Sequence, residues 1–162
     1  MKRSNFKNYD PDLNERAGLI SKTAIREWCY RTGFSYQPID EGAFGFDAVV
    51  ADVPFELETR YNWKEGNRPF YSIINIPLRR ARHLQHNSRW MYAQVSGDGK
   101  AFLVLPNPQT VFPQSPQQYS KNKDDDGYPE AFYKIPREQF KWLFVDHTCQ
   151  DEQDFIEILC GS

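Results

Sequence analysis

Between Pro54 and Tyr61 the chain reads Pro-Phe-Glu-Leu-Glu-Thr-Arg-Tyr. Strict alternation of this kind fits a half-buried β-strand and little else. Successive side chains of a strand leave by opposite faces. Phe55, Leu57, Thr59 and Tyr61 therefore share one face, mostly apolar and expected to meet a core. Glu56, Glu58 and Arg60 share the other. A second strand-like segment, Gly45 to Val50, comes just before it, and Ala51-Asp52-Val53 is a connection short enough for a hairpin. That hairpin brings Asp47 alongside Glu56. Three carboxylates so close repel one another, and they persist cheaply only on a face open to water or neutralised by a cation.

The rest of the chain supplies a frame for this hairpin. Its 162 residues suit one compact domain spanning 1–162. Twelve Phe, nine Tyr and four Trp provide enough apolar surface to argue against global disorder. Residues 1–10 are polar. Asp12-Leu-Asn-Glu15 has the form of a capping box, and Leu13, Ala17, Ile20, Ala24 and Trp28 then mark one stripe of an amphipathic helix. Gly33 is its expected stop. A further strand is expected over Tyr71 to Pro77, a short helix over Leu78 to His83, and two strands, Trp90 to Val95 and Ala101 to Leu105, around the turn Gly97-Asp98-Gly99. Residues 106–129, rich in Pro, Gln, Asn and Asp, read as a long loop. The tail, 130–162, reads as a strand from Ala131 to Ile135, a helix opened by Pro136, and a last segment, Asp154 to Leu159, that suits either helix or strand.

Several function classes recede on composition. No run of about 18 apolar residues is present, so no membrane helix is expected, and the charged start lacks the apolar core of a secretory signal; the expected location is cytoplasmic. Cys29, Cys149 and Cys160 are an odd set with no close pairing, which favours free thiols over a disulfide framework or a zinc site. A formal net charge of −2 speaks against a protein held on nucleic acid by bulk charge, though not against a nucleic-acid enzyme with a local basic patch.

A helix, a strand with Asp, then a hairpin strand carrying Glu-x-Glu resembles the core of the PD-(D/E)xK nuclease superfamily, over roughly residues 12–105. The resemblance implies an α/β (α+β) fold of restriction-endonuclease-like type, a central mixed β-sheet flanked by the N-terminal helix and smaller helices. It implies a magnesium- or manganese-dependent nuclease, with DNA as the expected partner and a homodimer among the expected assemblies. Asp47 and Glu56 match the two metal-binding acids, the backbone carbonyl of Leu57 a further ligand, and Glu15 the acid often found on the first helix. Glu58 stands where the motif usually has Lys. A minority of restriction endonucleases in this superfamily share that Glu, and Arg60 on the same face is a candidate source of the missing positive charge.

Each assignment has a plainer counterpart. Glu56, Glu58 and Arg60 also suit a solvent-exposed ion-pair ladder, and Glu15 a helix cap. Arg79, Arg80, Arg82, His83, His86 and Arg89 form the densest basic stretch, readable either as a solvated face or as a phosphate-binding surface that Lys64 and Arg68 extend. Lys121 to Asp126 lacks the spaced ligands of a calcium loop. Trp63, Trp90 and Tyr92 fit core packing better than base stacking. Two functions follow: a metal-dependent nuclease in which Asp47, Glu56, Glu58 and Arg60 are catalytic, or a non-catalytic nuclease-like binding or inhibitory protein.

Overall fold

The computed structural model describes residues 11–39, 45–61, 63, 72–81, 83–84, 86, 88–120 and 130–161. Its first element is α1 (Pro11–Thr32). Ser21, Ala24, Ile25, Trp28 and Cys29 are buried on it, a spacing that lays a single stripe along a helix. Gly33 ends it at φ 88°, and the amides of Gly33 and Phe34 both donate to the Cys29 carbonyl, at 2.8 and 3.1 Å. Only glycine takes that backbone conformation without strain, so the sequence position and the helix end coincide.

The hairpin forms from β2 (Ala48–Val50) and β3 (Val53–Arg60). Val50 pairs with Val53, so the loop is just Ala51 and Asp52, both with positive φ (50° and 68°). That is the primed-turn geometry whose twist matches the flanking strands. With β1 (Tyr36–Pro38), β5 (Met91–Ser96), β6 (Ala101–Leu105) and β9 (Lys141–Phe144), these strands make a six-stranded sheet in the order β1-β2-β3-β5-β6-β9. The β3–β5 pair is parallel and the other pairs are antiparallel, so the sheet is mixed. The crossover between β3 and β5 carries β4 (Ile73–Pro77) and a 3₁₀ turn, Leu78–Ala81. β4 joins a second, three-stranded antiparallel sheet with β8 (Glu130–Pro136) and β7 (Gln117–Ser120), in the order β4-β8-β7.

Three layers result. On one face of the central sheet, Phe55, Leu57, Met91, Ala93, Val95, Phe102, Val104 and Leu143 meet α1 and α3 (Glu152–Cys160). On the other, Trp90, Tyr92, Ala101, Leu103 and Leu105 meet the outer sheet through Ile74, Ile76, Tyr133 and Ile135, with Phe112 of α2 (Pro108–Gln114) between. Trp63, Trp90 and Tyr92 are thus core residues. No helix among the described residues is long and apolar enough to cross a membrane.

Two expectations need correcting, and one left open is settled. The stretch 106–129 is not a loop throughout: α2 and β7 occupy 108–114 and 117–120, while 121–129 lie outside the described residues. The burial of Phe112 and the β7–β8 ladder, both tertiary contacts, override a composition that reads as irregular. Pro136 opens only a 3₁₀ turn, Arg137–Gln139, before the chain extends into β9, because Leu143 is needed in the core as a strand residue. The ambiguous end of the chain is α3, whose Phe155 and Leu159, four residues apart, seat on the helical side of the sheet.

Candidate acidic centre

The alternation of β3 does divide its side chains as the pattern dictates. Phe55 and Leu57 face the helices; Glu56 and Glu58 face the outer sheet. In the parallel ladder Glu56 pairs with Tyr92 and Glu58 with Gln94, so four polar groups share one strip of the inter-sheet interface. The face was expected to be open to water or to hold a cation, and the outer sheet closes it. Glu56 is 0% exposed and Glu58 8%.

A buried carboxylate is costly unless it is paired and hydrogen-bonded. Here the partners come from the crossover. Arg80 Nη1 donates to Glu56 Oε2 at 3.1 Å, and His83 Nε2 lies 3.1 Å from Glu56 Oε1. Arg80 Nε stands 3.6 Å from Glu58 Oε1, beyond hydrogen-bonding range. Tyr92 Oη donates to Glu58 Oε1 at 2.5 Å and accepts from Gln94 Nε2 at 3.1 Å. Arg80 and His83 are three residues apart, and in a 3₁₀ turn residues so spaced lie on one side. The turn itself is Leu78–Ala81, and His83 just beyond keeps to the same side. Phe46 stacks on the His83 ring with centroids 3.8 Å apart, and Trp90 meets it edge-on. These contacts shield the cluster from solvent on the side of the turn.

The electrostatics follow from that enclosure. Burial pulls the Arg80 guanidinium down, and Glu58, Tyr92 and Glu56 more than offset it, leaving its pKa raised. The Tyr92 phenol is pushed well above its ordinary range, first by burial and then by the adjacent Glu58 carboxylate, so it is a proton donor held in place.

Asp47 behaves differently. Its Oδ2 accepts the backbone N–H of Leu57 at 2.8 Å, and its own N–H donates to the Phe55 carbonyl at 2.9 Å. β2 begins only at Ala48, so the carboxylate supplies an acceptor to β3 at a point the neighbouring strand does not reach. Leu57 places its side chain in the helical core and commits its N–H to Asp47.

The remaining candidates lie apart from this cluster. Glu15 is exposed on α1. Arg60 reaches across to the outer sheet, where Nη1 donates to the Asn75 carbonyl at 3.0 Å. Arg89 turns toward α3 and donates to the Ile158 and Leu159 carbonyls at 2.7 and 2.8 Å, serving as a C-terminal cap. Arg79 and His86 are exposed. Lys64, Arg68 and Arg82 lie outside the described residues. The basic stretch therefore divides: Arg80 and His83 inward, Arg89 onto a helix end, Arg79 and His86 outward.

A divalent ion such as magnesium or manganese needs hard oxygen donors that converge and are not otherwise committed. Glu56 is engaged at both oxygens, Glu58 by Tyr92 and Arg80, and Asp47 by a peptide N–H. Among the described residues no group of three or more His, Cys, Asp and Glu side chains is disposed to hold a metal. As arranged, the donor set does not fit such an ion. Sequence reasoning identified Glu56 and Glu58 but missed Tyr92 and Gln94 as their companions. The alternation of Trp90-Met-Tyr-Ala-Gln-Val95 carried that signal, since it puts Tyr92 and Gln94 on one face of a strand.

The cysteines are free thiols: Cys29 is buried, Cys149 half-buried and Cys160 exposed. A second buried carboxylate, Glu152, accepts from Trp28 Nε1 at 3.2 Å and pairs with Arg31 at 2.5 Å, which ties α3 to α1. No family model and no curated protein matches this chain, so its chemistry has to be read from the geometry of these groups.

Proposed function

We propose that this protein is a nucleic-acid-binding module built on a nuclease-like architecture, without phosphodiester cleavage of its own. The observation that carries this reading is the state of Glu56, fully buried with each carboxylate oxygen met by a cationic or imidazole nitrogen of the same chain. A metal-dependent hydrolase needs its acids free to hold the ion and needs a path for water and substrate to reach it. Support for the nuclease-like part comes from element order: a long N-terminal helix, Asp47 just ahead of β2, a two-residue turn, and Glu-x-Glu on β3 of a mixed sheet. In the basic stretch of the crossover, Arg79 is an exposed cation suited to a phosphate contact.

Fluorescence anisotropy with labelled duplex DNA, single-stranded DNA and RNA at low salt, run with magnesium or manganese and followed by a gel for cleavage, tests this. Binding without cleavage is expected, weakening about three- to tenfold in Arg79→Glu and falling steeply with salt. Absence of binding to all three forms would end the proposal.

A second reading, the metal-dependent nuclease, is favoured by one observation: Asp47 is held against β3 at Leu57, between Glu56 and Glu58 in the chain. On that reading the crossover must first release the two glutamates. Magnesium- or manganese-dependent cleavage that disappears in Asp47→Ala and in Glu56→Ala would establish it in place of the first.

A further inference from the structure

Where a metal centre would draw on Glu56 and Glu58, this chain has placed a guanidinium, and that disagreement has a structural meaning. Arg80 comes from the 3₁₀ turn directly after β4, the strand through which the crossover joins the outer sheet. Its Nη1 is 3.1 Å from Glu56 and its Nε 3.6 Å from Glu58, so one planar fork spans two carboxylates on one strand. A guanidinium suits this position because it is always charged and presents several donors in fixed geometry. Arg60 makes the reverse tie, from the end of β3 to the Asn75 carbonyl on β4. From β5, Tyr92 donates to Glu58 and Gln94 donates in turn to the Tyr92 hydroxyl. The cluster therefore joins β3, β5 and the crossover, the elements that hold the two sheets together.

We propose that Arg80 is a built-in counter-cation that takes the place of a divalent ion at Glu56 and Glu58 and fastens the outer sheet to the central one. The fold is then complete without metal. Removing the cation strips the guanidinium from two buried carboxylates, leaving His83 at Glu56 and the Tyr92 hydroxyl at Glu58; removing the carboxylates first makes the cation dispensable. Nucleic-acid binding does not enter this proposal, and its readouts are independent of that reading: a chain that binds no DNA can still be fastened in this way.

The test is thermal unfolding of the full chain, with EDTA and with 5 mM manganese, for the wild type and four variants. For the wild type, Tm is expected to be the same in both conditions to within about 1 °C, since a ligand that does not bind the native state does not shift it. Arg80→Met is expected to lower Tm by on the order of 10 °C, the size expected for stripping one partner from a buried ion pair in a chain of this length. In the Glu56→Gln/Glu58→Gln background the same substitution is expected to cost less than half as much, because the charge it neutralises is gone. If Arg80→Met does not fold, Arg80→Lys keeps the charge while losing the fork, and a Tm between those of wild type and the glutamine double variant is expected. A manganese-induced rise in wild-type Tm of more than about 3 °C would overturn the proposal, as would an Arg80 substitution equally costly in both backgrounds.

Discussion

Asp47 illustrates how much a single side chain's role depends on what lies at the end of the next strand. Because β2 begins only at Ala48, the Leu57 N–H needs another acceptor, and the Asp47 carboxylate supplies it at 2.8 Å. Losing a charge-assisted acceptor for a buried amide costs about 1.5–3 kcal/mol. Asp47→Ala is therefore expected to destabilise by that amount in urea denaturation, and Asp47→Asn, whose side-chain oxygen still accepts, by less than half as much. Equal losses in the two variants would mean that the bond is not what Asp47 contributes. Cys29 makes a different residue-scale prediction. Burial raises its thiol from 9.0 to about 12. The folded state thus holds this proton more tightly than the unfolded one, so the associated stability is complete below pH 9 and is lost as pH rises toward 12. Cys29→Ala should lose less stability between pH 9 and 11 than the parent. At pH 8 the Cys29 thiolate is scarce as well as enclosed, so a thiol reagent should label exposed Cys160 well before Cys29.

At the scale of elements, the turn and the helix ends carry the clearest consequences. Ala51 and Asp52 both sit at positive φ, which costs a non-glycine residue about 1 kcal/mol each. Replacing the pair by Asn-Gly, the preferred sequence for such a turn, is expected to raise stability by about 1 kcal/mol without altering the β2–β3 register. Gly33→Ala, at φ 88°, is expected to lower it by a similar amount. Chemical denaturation checks both, and a stabilised Gly33→Ala would remove the helix-stop argument. Both elements were legible in the chain, since a glycine at the end of an apolar stripe and a short link between alternating runs are local signals. The region 106–129 was not: α2 depends on Phe112 reaching Tyr133, and β7 on pairing with β8 across the stretch 121–129, and neither contact leaves a mark on the local pattern. Arg89 was also illegible. It sits in a basic run that reads as a surface for phosphate, yet it caps carbonyls almost 70 residues away on α3.

For the molecule as a whole, the three layers are not equally secured. β5 and β6 are buried along their full length and lie inside the central sheet, whereas Gln117 and Gln118 of β7, at the edge of the outer sheet, are exposed. Local opening follows burial and pairing. Hydrogen exchange is expected to be slowest in β5 and β6 and faster in β7, with β4 intermediate. Disruption of the Arg80 cluster should speed exchange in β4 and the following turn more than in β6. Uniform acceleration across both sheets would show that the outer layer does not open as a unit.

The chain alone determined which residues alternate, where α1 and the hairpin turn, and that Glu56 and Glu58 leave β3 on the side away from Phe55 and Leu57, because period and turn chemistry are local properties of the backbone. It did not determine what meets those two carboxylates. A basic residue after a strand looks the same in sequence whether it faces solvent or folds back, and only the docking of β4 against β8, which carries Arg80 and His83 over β3, turned an apparent open acidic face into a closed ion-pair cluster. The physical reason is that burial, and with it the strength and consequence of every charge, is set by contacts between segments distant in the chain.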